Sequence, residues 1–268
     1  MQCVKQIKEK AANDPRRTVL AIVGDTQVGL WVVRSLARNG LTVHAVVKSG
    51  QGQSAHSRFT SSAWTLDTGP GEEGFGDEIE DLAHKVGAGS IMPVSEGFHN
   101  ALIELRGRFE PDVHIFSPSR ECFDKATDKD GLHELCGELG IPVAKGMRLD
   151  RLMEQHTGNT LSLPLVLRTN RQNVPGEKAS WKAAYAETKE ELSELYSQVK
   201  GFADNVIAQE YHPGAEEHLQ VLMHDGEPFM VGDYIGEHHM PLQIFPLFFV
   251  AEVRRPQLSS FFVCSGTL

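Results

Sequence analysis

The stretch TVLAIVGDTQVGLWVVRSLARNGLTVHAVV, residues 18–47, decides the fold class. It begins with a short apolar run and ends with another. Between them Val28, Val32, Val33 and Leu36 recur at helical spacing. Apolar runs that alternate with amphipathic helical runs are typical of a parallel α/β sheet, in which helices connect successive strands. The same alternation continues beyond this stretch, so we predict an α/β protein.

The sequence pattern also predicts the domain organisation. We expect residues 1–16 to be a polar tail and residues 17–120 to form a Rossmann-like domain. After Ser117 the pattern of the sequence changes, which indicates a second domain over residues 121–240. Residues 241–268 carry clustered phenylalanines and three prolines with no clear period, and we expect them to form an atypical tail.

Composition argues against several classes of protein. The formal net charge of −10 disfavours a nucleic-acid partner, which would require a clustered basic face. No run of about 18 apolar residues is present, so no membrane span is expected. The four cysteines are far apart and form no CxxC pair, which favours a reducing compartment over a disulfide framework. We therefore predict a cytoplasmic protein.

The turn between Gly24 and Gly29 follows a strand and precedes a helix, where backbone N–H groups can bind a phosphate. The three-glycine dinucleotide fingerprint is missing, and the second strand ends in Val47-Lys48-Ser49 without an acidic residue for a ribose. A nicotinamide-dependent oxidoreductase built on this turn therefore remains only an alternative function. The simpler interpretation is that the turn only joins the strand to the helix.

The second half contains four features in a fixed order. They are Asp128-Lys129 at the start of a helix, the strand Leu163–Arg168 that ends in a cation, a polar loop that includes Lys182, and the strand end Gln209-Glu210-Tyr211-His212-Pro213-Gly214 with two glutamates beyond it. This order resembles the ATP-grasp superfamily, in particular the carboxylate–amine ligases related to carbamoyl-phosphate synthase and D-alanine–D-alanine ligase. The resemblance covers about residues 17–240. It implies a Rossmann-like pre-ATP-grasp domain followed by a partial α+β ATP-grasp domain.

The resemblance also implies a role for each site residue. The ATP-binding residues are Lys129, Arg168 and Lys182 at the phosphates, Glu210 and Tyr211 at the adenine hinge, and Glu216 or Glu217 at the ribose. Arg168 stands where the family usually has lysine, and a forked guanidinium is not equivalent to a compact ammonium group. At the C-terminal edge of the first sheet, Ser95 and Glu96 are the expected substrate contacts. No catalytic residue is assigned.

The expected Mg²⁺ ligands are the main departure from the family. ATP-grasp enzymes place an acidic pair and an asparagine well after the hinge, and Mg²⁺ requires such oxygen ligands to bridge phosphates. After Pro241 this sequence has one carboxylate, Glu252, and no asparagine. We therefore expect no metal ligand in this chain, a C-terminally truncated catalytic lobe, and impaired or absent turnover.

The function implied by the resemblance is ATP-dependent ligation of a carboxylate to an amine through an acylphosphate. The implied cofactors are ATP and Mg²⁺, and the implied partners are small-molecule carboxylate and amine substrates, with a homodimer left open. Two alternatives remain: the oxidoreductase on the Gly24–Gly29 turn, and a non-catalytic nucleotide-binding remnant.

Overall fold

The computed structural model describes residues 4–8, 14–154, 161–170, 183–213, 216–224 and 227–236. The chain divides into two compact units, Met1–Glu210 and Tyr211–Leu268. The first unit holds two sheets and the second a two-stranded sheet. The domain limits expected from the sequence stay a prediction.

Six strands form the first sheet, in the order β1-β4-β3-β2-β5-β6. Their bounds are β1 Val4–Lys8, β2 Thr18–Ile22, β3 Thr42–Val47, β4 Ser62–Leu66, β5 Ser90–Pro93 and β6 His114–Ile115. Strands β2 to β6 pair in parallel, which confirms the predicted parallel α/β sheet. Strand β1 pairs antiparallel with β4, although its residues were expected in a polar tail. Edge pairing uses backbone groups and therefore needs no apolar pattern.

Helices cover both faces of this sheet. They are α1 Gln27–Arg38, α2 Gln53–His56, α3 Phe75–Val86 and α4 Glu96–Phe109. Leu20 and Ile22 of β2 pack in the core that includes α3 and α4, while Ala21 belongs to the core on the opposite face with residues of α1 and α2. Burial on both faces explains why β2 is a continuous apolar run rather than an alternating one.

The second sheet is antiparallel, in the order β7-β10-β8-β9. Its strands are β7 Gly146–Arg148, β8 Leu165–Thr169, β9 Ala183–Ala186 and β10 Val206–Glu210, and the helices of this region are α5 Arg120–Thr127, α6 Lys129–Glu138, α7 Leu149–Glu154 and α8 Lys189–Val199. Leu165, Leu167 and Ala208 lie in its core with residues of α7 and α8. An antiparallel sheet with helices beside it is the α+β arrangement expected for this half.

The helix expected to start at Asp128-Lys129 is present, and a second helix lies directly before it. Helix α5 ends at Thr127, Asp128 adopts an extended backbone conformation, and α6 begins at Lys129. The Asp128 carboxylate accepts the backbone N–H of Gly131 and so caps α6. The sequence pattern does not reveal α5, because Arg120–Thr127 buries no residue.

The second unit contains β11 Glu216–His224 and β12 Glu227–Gly236, which pair antiparallel. Among the described helices, none has the length and apolar character needed to cross a membrane.

Candidate functional site

Lys129 is the first residue of α6, and its side chain reaches the end of β8. Its Nζ donates a hydrogen bond to the backbone carbonyl of Asn170, the residue that follows β8. The partial positive charge of a helix N-terminus disfavours a cation in the first turn. The positive charge of the half-buried Lys129 is therefore in an electrostatically unfavourable position. This is unusual for a lysine that serves only solubility.

Arg168 lies near the end of β8, an interior strand of the second sheet. It is in register with Ile207 of β10 and Ala183 of β9. Its neighbours Leu167 and Thr169 are buried, whereas Arg168 is exposed, as the alternation of a strand requires. The guanidinium is thus on the outer face of the sheet, at the strand end closest to Asn170.

The two predicted phosphate cations lie close enough to repel each other. Burial lowers the pKa of Lys129, and the positive charge of Arg168 lowers it further, while Glu96 and Asp128 act in the opposite direction. A lysine and an arginine near each other, one at a helix start and one near a strand end, form a favourable site for an anion. Of the predicted site residues, Arg168 and Glu96 thus lie near enough to Lys129 to act on its charge.

Because the pKa of Lys129 is lowered, we predict that the affinity of a phosphate ligand such as ATP at this lysine depends on pH. Because only the protonated lysine attracts phosphate, affinity should fall as pH rises through a pKa below the ordinary value of 10.5. Folding stability should change in the opposite sense: in that range the unfolded chain holds the proton that folded Lys129 has lost, so stability rises with pH. ATP titrations from pH 7 to 10 check the first effect. A profile unchanged by Lys129→Met would contradict it.

Ser95 and Glu96 lie at the start of α4, directly after β5. The sheet order reverses between β2 and β5, because β3 continues on one side of β2 and β6 lies on the far side of β5. Ligands of open α/β sheets bind at such reversals, outside the carboxyl ends of the strands. The Ser95 hydroxyl accepts the backbone N–H of Phe98 at 3.5 Å and so caps the helix. Glu96 contributes its charge near Lys129.

Glu210 ends β10, where the resemblance implies the adenine hinge, and Tyr211 follows it. The Glu210 carboxylate accepts the backbone N–H of Ser162 at 2.8 Å, and its backbone N–H donates to the carbonyl of Lys145 at 2.9 Å. The side chain of Tyr211 is exposed. The Glu210 carboxylate thus holds the segment before β8, and its predicted role at the adenine hinge stays a prediction.

Three predicted ATP-binding residues are not placed with the others. Lys182 lies outside the described residues. Glu216 and Glu217 are the first two residues of β11 in the second unit, and the description does not extend to their side chains. Their roles at the phosphates and the ribose stay predictions.

The turn between Gly24 and Gly29 is filled by the protein's own side chains. The carboxylate of Asp25 accepts the backbone N–H groups of Lys48 and Ser49 at 3.1 and 3.2 Å. The hydroxyl of Thr26 accepts the N–H of Gly29 at 3.0 Å. A carboxylate at this position repels a pyrophosphate, so the turn is poorly suited to a dinucleotide.

A separate groove of about 650 Å³ lies between α4 and residues 70–77, which are the loop before α3 and its first turn. None of the predicted site residues lines it. Of its carboxylates, Asp77 is held by Arg108 at 2.6 Å, and Glu104 is held by Arg120 at 2.6 Å. These groups already have cationic partners within the protein, and we assign the groove no ligand.

The described residues do not supply a magnesium site. Within the described part of the chain, no three His, Cys, Asp or Glu side chains are grouped so that they could hold a metal ion. The acidic side chains next to Lys129 and Arg168 do not make up the acidic pair and asparagine that the resemblance implies. No step of the proposed reaction is therefore assigned to a metal held by these residues.

No family model matches the sequence, and the search of curated proteins finds no relative. Solved structures do match. An ADP complex of N5-carboxyaminoimidazole ribonucleotide synthetase is 16% identical with a TM-score of 0.58, over 82% of this chain and 54% of that one. The biotin carboxylase domain of Hydrogenobacter thermophilus 2-oxoglutarate carboxylase, solved with MgADP and bicarbonate, is 18% identical with a TM-score of 0.60, over 82% and 50%. The L-amino acid ligase of Bacillus licheniformis is 13% identical with a TM-score of 0.59, over 91% and 57%.

These matches define the fold. The solved structures are ATP-grasp carboxylate–amine ligases, and the chain shares their fold over the matched part, which confirms the resemblance at the level of the fold. This chain and the matched structures share a parallel sheet followed by an antiparallel sheet. The chain spans about half the length of the structures it matches.

Proposed function

We propose that this chain binds ATP with its phosphates between Lys129 and Arg168, and that the whole protein uses ATP to join a carboxylate to an amine. The proposal is supported by the Lys129 side chain, which bonds to the residue after β8 and whose pKa is lowered by the charge of Arg168, in a chain that shares the fold of the matched ligases. The mutual repulsion of Lys129 and Arg168 is relieved when a triphosphate lies between them.

In the proposed reaction, the protein mainly neutralises the negative charge that develops on the phosphates. A substrate carboxylate oxygen attacks the γ-phosphorus, the bond between that phosphorus and the β,γ-bridging oxygen breaks, and ADP leaves. The amine then attacks the acyl carbon, phosphate departs, and the amine nitrogen loses a proton. Lys129 and Arg168 serve by positioning the phosphates and balancing the charge that develops on them. We expect Glu96, whose charge acts on Lys129, to accept hydrogen bonds from the amine.

ATP binding should appear as a thermal shift of the purified 268-residue protein. At a ligand concentration of about 100 times Kd, the stabilisation is roughly 2.7 kcal/mol, or a rise in Tm of roughly 5–10 °C. We expect this shift with ATP and Mg²⁺ and none with NADH. A shift with NADH alone would favour the oxidoreductase and overturn the proposal, and no shift with either would overturn nucleotide binding.

Turnover is a separate question from binding. A non-catalytic remnant would bind ATP in the same assay without hydrolysing it. The expectation that this chain is impaired stays a prediction, and an assay of Mg²⁺-dependent ATP hydrolysis tests it. The nicotinamide alternative is disfavoured by the Asp25 carboxylate at the Gly24–Gly29 turn.

The proposal also covers the oligomeric state, the metal ion and the cellular location of the protein. The Hydrogenobacter carboxylase domain was solved as a dimer, which supports a homodimer here. Its MgADP likewise supports Mg²⁺ as the metal of the whole protein. A cytoplasmic location stays a prediction.

A further inference from the structure

Asn170 follows β8 and contacts three successive residues at the start of α6. Its backbone carbonyl accepts the Nζ hydrogen bond of Lys129. Its side-chain Oδ1 accepts the backbone N–H of Asp130 at 3.0 Å, and its Nδ2 donates to the Asp128 carboxylate at 2.9 Å. One asparagine thus ties the strand end to the first turn of the helix through both its backbone and its side chain.

Asn170 is itself fixed to the second sheet. Its backbone N–H donates to the carbonyl of Asn205 at 2.6 Å, directly before β10. On the helix side, the same Asp128 oxygen that receives its amide also caps α6 through Gly131. The hydrogen bonds therefore run without a break from the sheet to the helix start.

We propose that Asn170 is a positioning residue that orients Lys129 toward the nucleotide phosphates, an inference that rests on the proposed function. Its two side-chain hydrogen bonds hold the strand end and the helix start together, and this keeps the Asn170 carbonyl opposite Lys129. An ammonium group has three N–H donors, so one bond to a carbonyl leaves capacity for phosphate oxygens. A lysine that is already ordered loses less side-chain freedom when ATP binds.

A double-mutant cycle between Asn170→Ala and Lys129→Met tests this role, with ATP affinity measured by calorimetry. The alanine variant keeps the backbone carbonyl but loses the two side-chain bonds. We expect affinity to fall roughly five- to tenfold when Lys129 is present, and by no more than about twofold in the Lys129→Met background. Equal losses in both backgrounds would mean that Asn170 only supports the fold, and the inference would be overturned.

A second variant, Asn170→Asp, covers the case in which alanine prevents folding. It retains an acceptor for the Asp130 N–H, loses the donor to Asp128 and adds a negative charge near Lys129. If the Asn170 side chain determines the electrostatic environment of Lys129, the pH at which ATP affinity declines should move upward in this variant. The reason is that a nearby anion favours the charged lysine. An unmoved pH profile in the Asn170→Asp variant would overturn the inference.

These outcomes are distinct from a failure of the proposed function. If ATP does not stabilise the wild-type protein, the function itself is wrong, and the positioning role of Asn170 is wrong with it. If ATP binds and Lys129→Met weakens binding, yet the cycle is additive, only the role of Asn170 is wrong.

Discussion

Replacing Lys129 with methionine is expected to weaken ATP binding by roughly 10- to 100-fold while the protein stays folded. A hydrogen bond to a charged group contributes about 1.5–3 kcal/mol, and each 1.4 kcal/mol corresponds to a factor of ten in affinity. Methionine retains a long apolar stem, so the half-buried part of the side chain is still filled. Removal of the ammonium group also ends the repulsion from Arg168, so the free energy of unfolding without ATP should be unchanged or slightly higher. Calorimetric titration and thermal unfolding measure the two quantities.

Lys125→Met is the matched control for this prediction. Lys125 lies in the preceding helix α5 and is paired with Glu121 at 2.8 Å, with both side chains exposed. The control loses the same charge at a position outside the proposed site, so its ATP affinity should change by less than about twofold, as expected for an exposed charge screened by salt. Equal weakening by the two variants would mean that net charge alone governs binding, and the assignment of Lys129 would be wrong.

The first sheet could be predicted because burial on both faces leaves a clear pattern in the sequence. The runs at Thr18–Ile22 and Thr42–Val47 are almost entirely buried, and the helix between them buries Leu30 and Val33 at helical spacing. Two elements gave no such signal. Strand β1 is an edge strand, and α5 has no buried residue, so both were missed.

The site was predictable only in part. Lys129 and Arg168 are far apart in sequence, and the resemblance, rather than any local pattern, placed them together. Asn170 was not recognised, because an asparagine after a strand is ordinarily a loop residue, and its hydrogen bonds to the start of α6 form only when the strand end meets the helix. The Glu210 carboxylate bonds to Ser162, which the strand pattern does not reveal.

Gly29→Ala is expected to cost about 1–3 kcal/mol of stability, although alanine is the better helix former. A Cβ at Gly29 would lie 2.6 Å from the Cβ of Val23 and 2.8 Å from the Val23 carbonyl oxygen. Val23 is buried, directly after β2, and its carbonyl also accepts the hydroxyl of Thr26. The clash therefore involves backbone that cannot move without separating α1 from β2. Denaturant unfolding, compared through the midpoint, measures the loss.

Gly107→Ala is the control, because Gly107 lies inside α4 with no atom within 4 Å of its would-be Cβ. There alanine should stabilise the protein by about 0.5–1 kcal/mol, since a helical glycine loses more backbone entropy on folding. Opposite signs at the two glycines mean that Gly29 is required for the close approach of helix and strand. If Gly29→Ala were neutral for stability and instead altered nucleotide binding, the turn would belong to a ligand site. The phosphates would then have to be assigned to the first sheet rather than to Lys129 and Arg168.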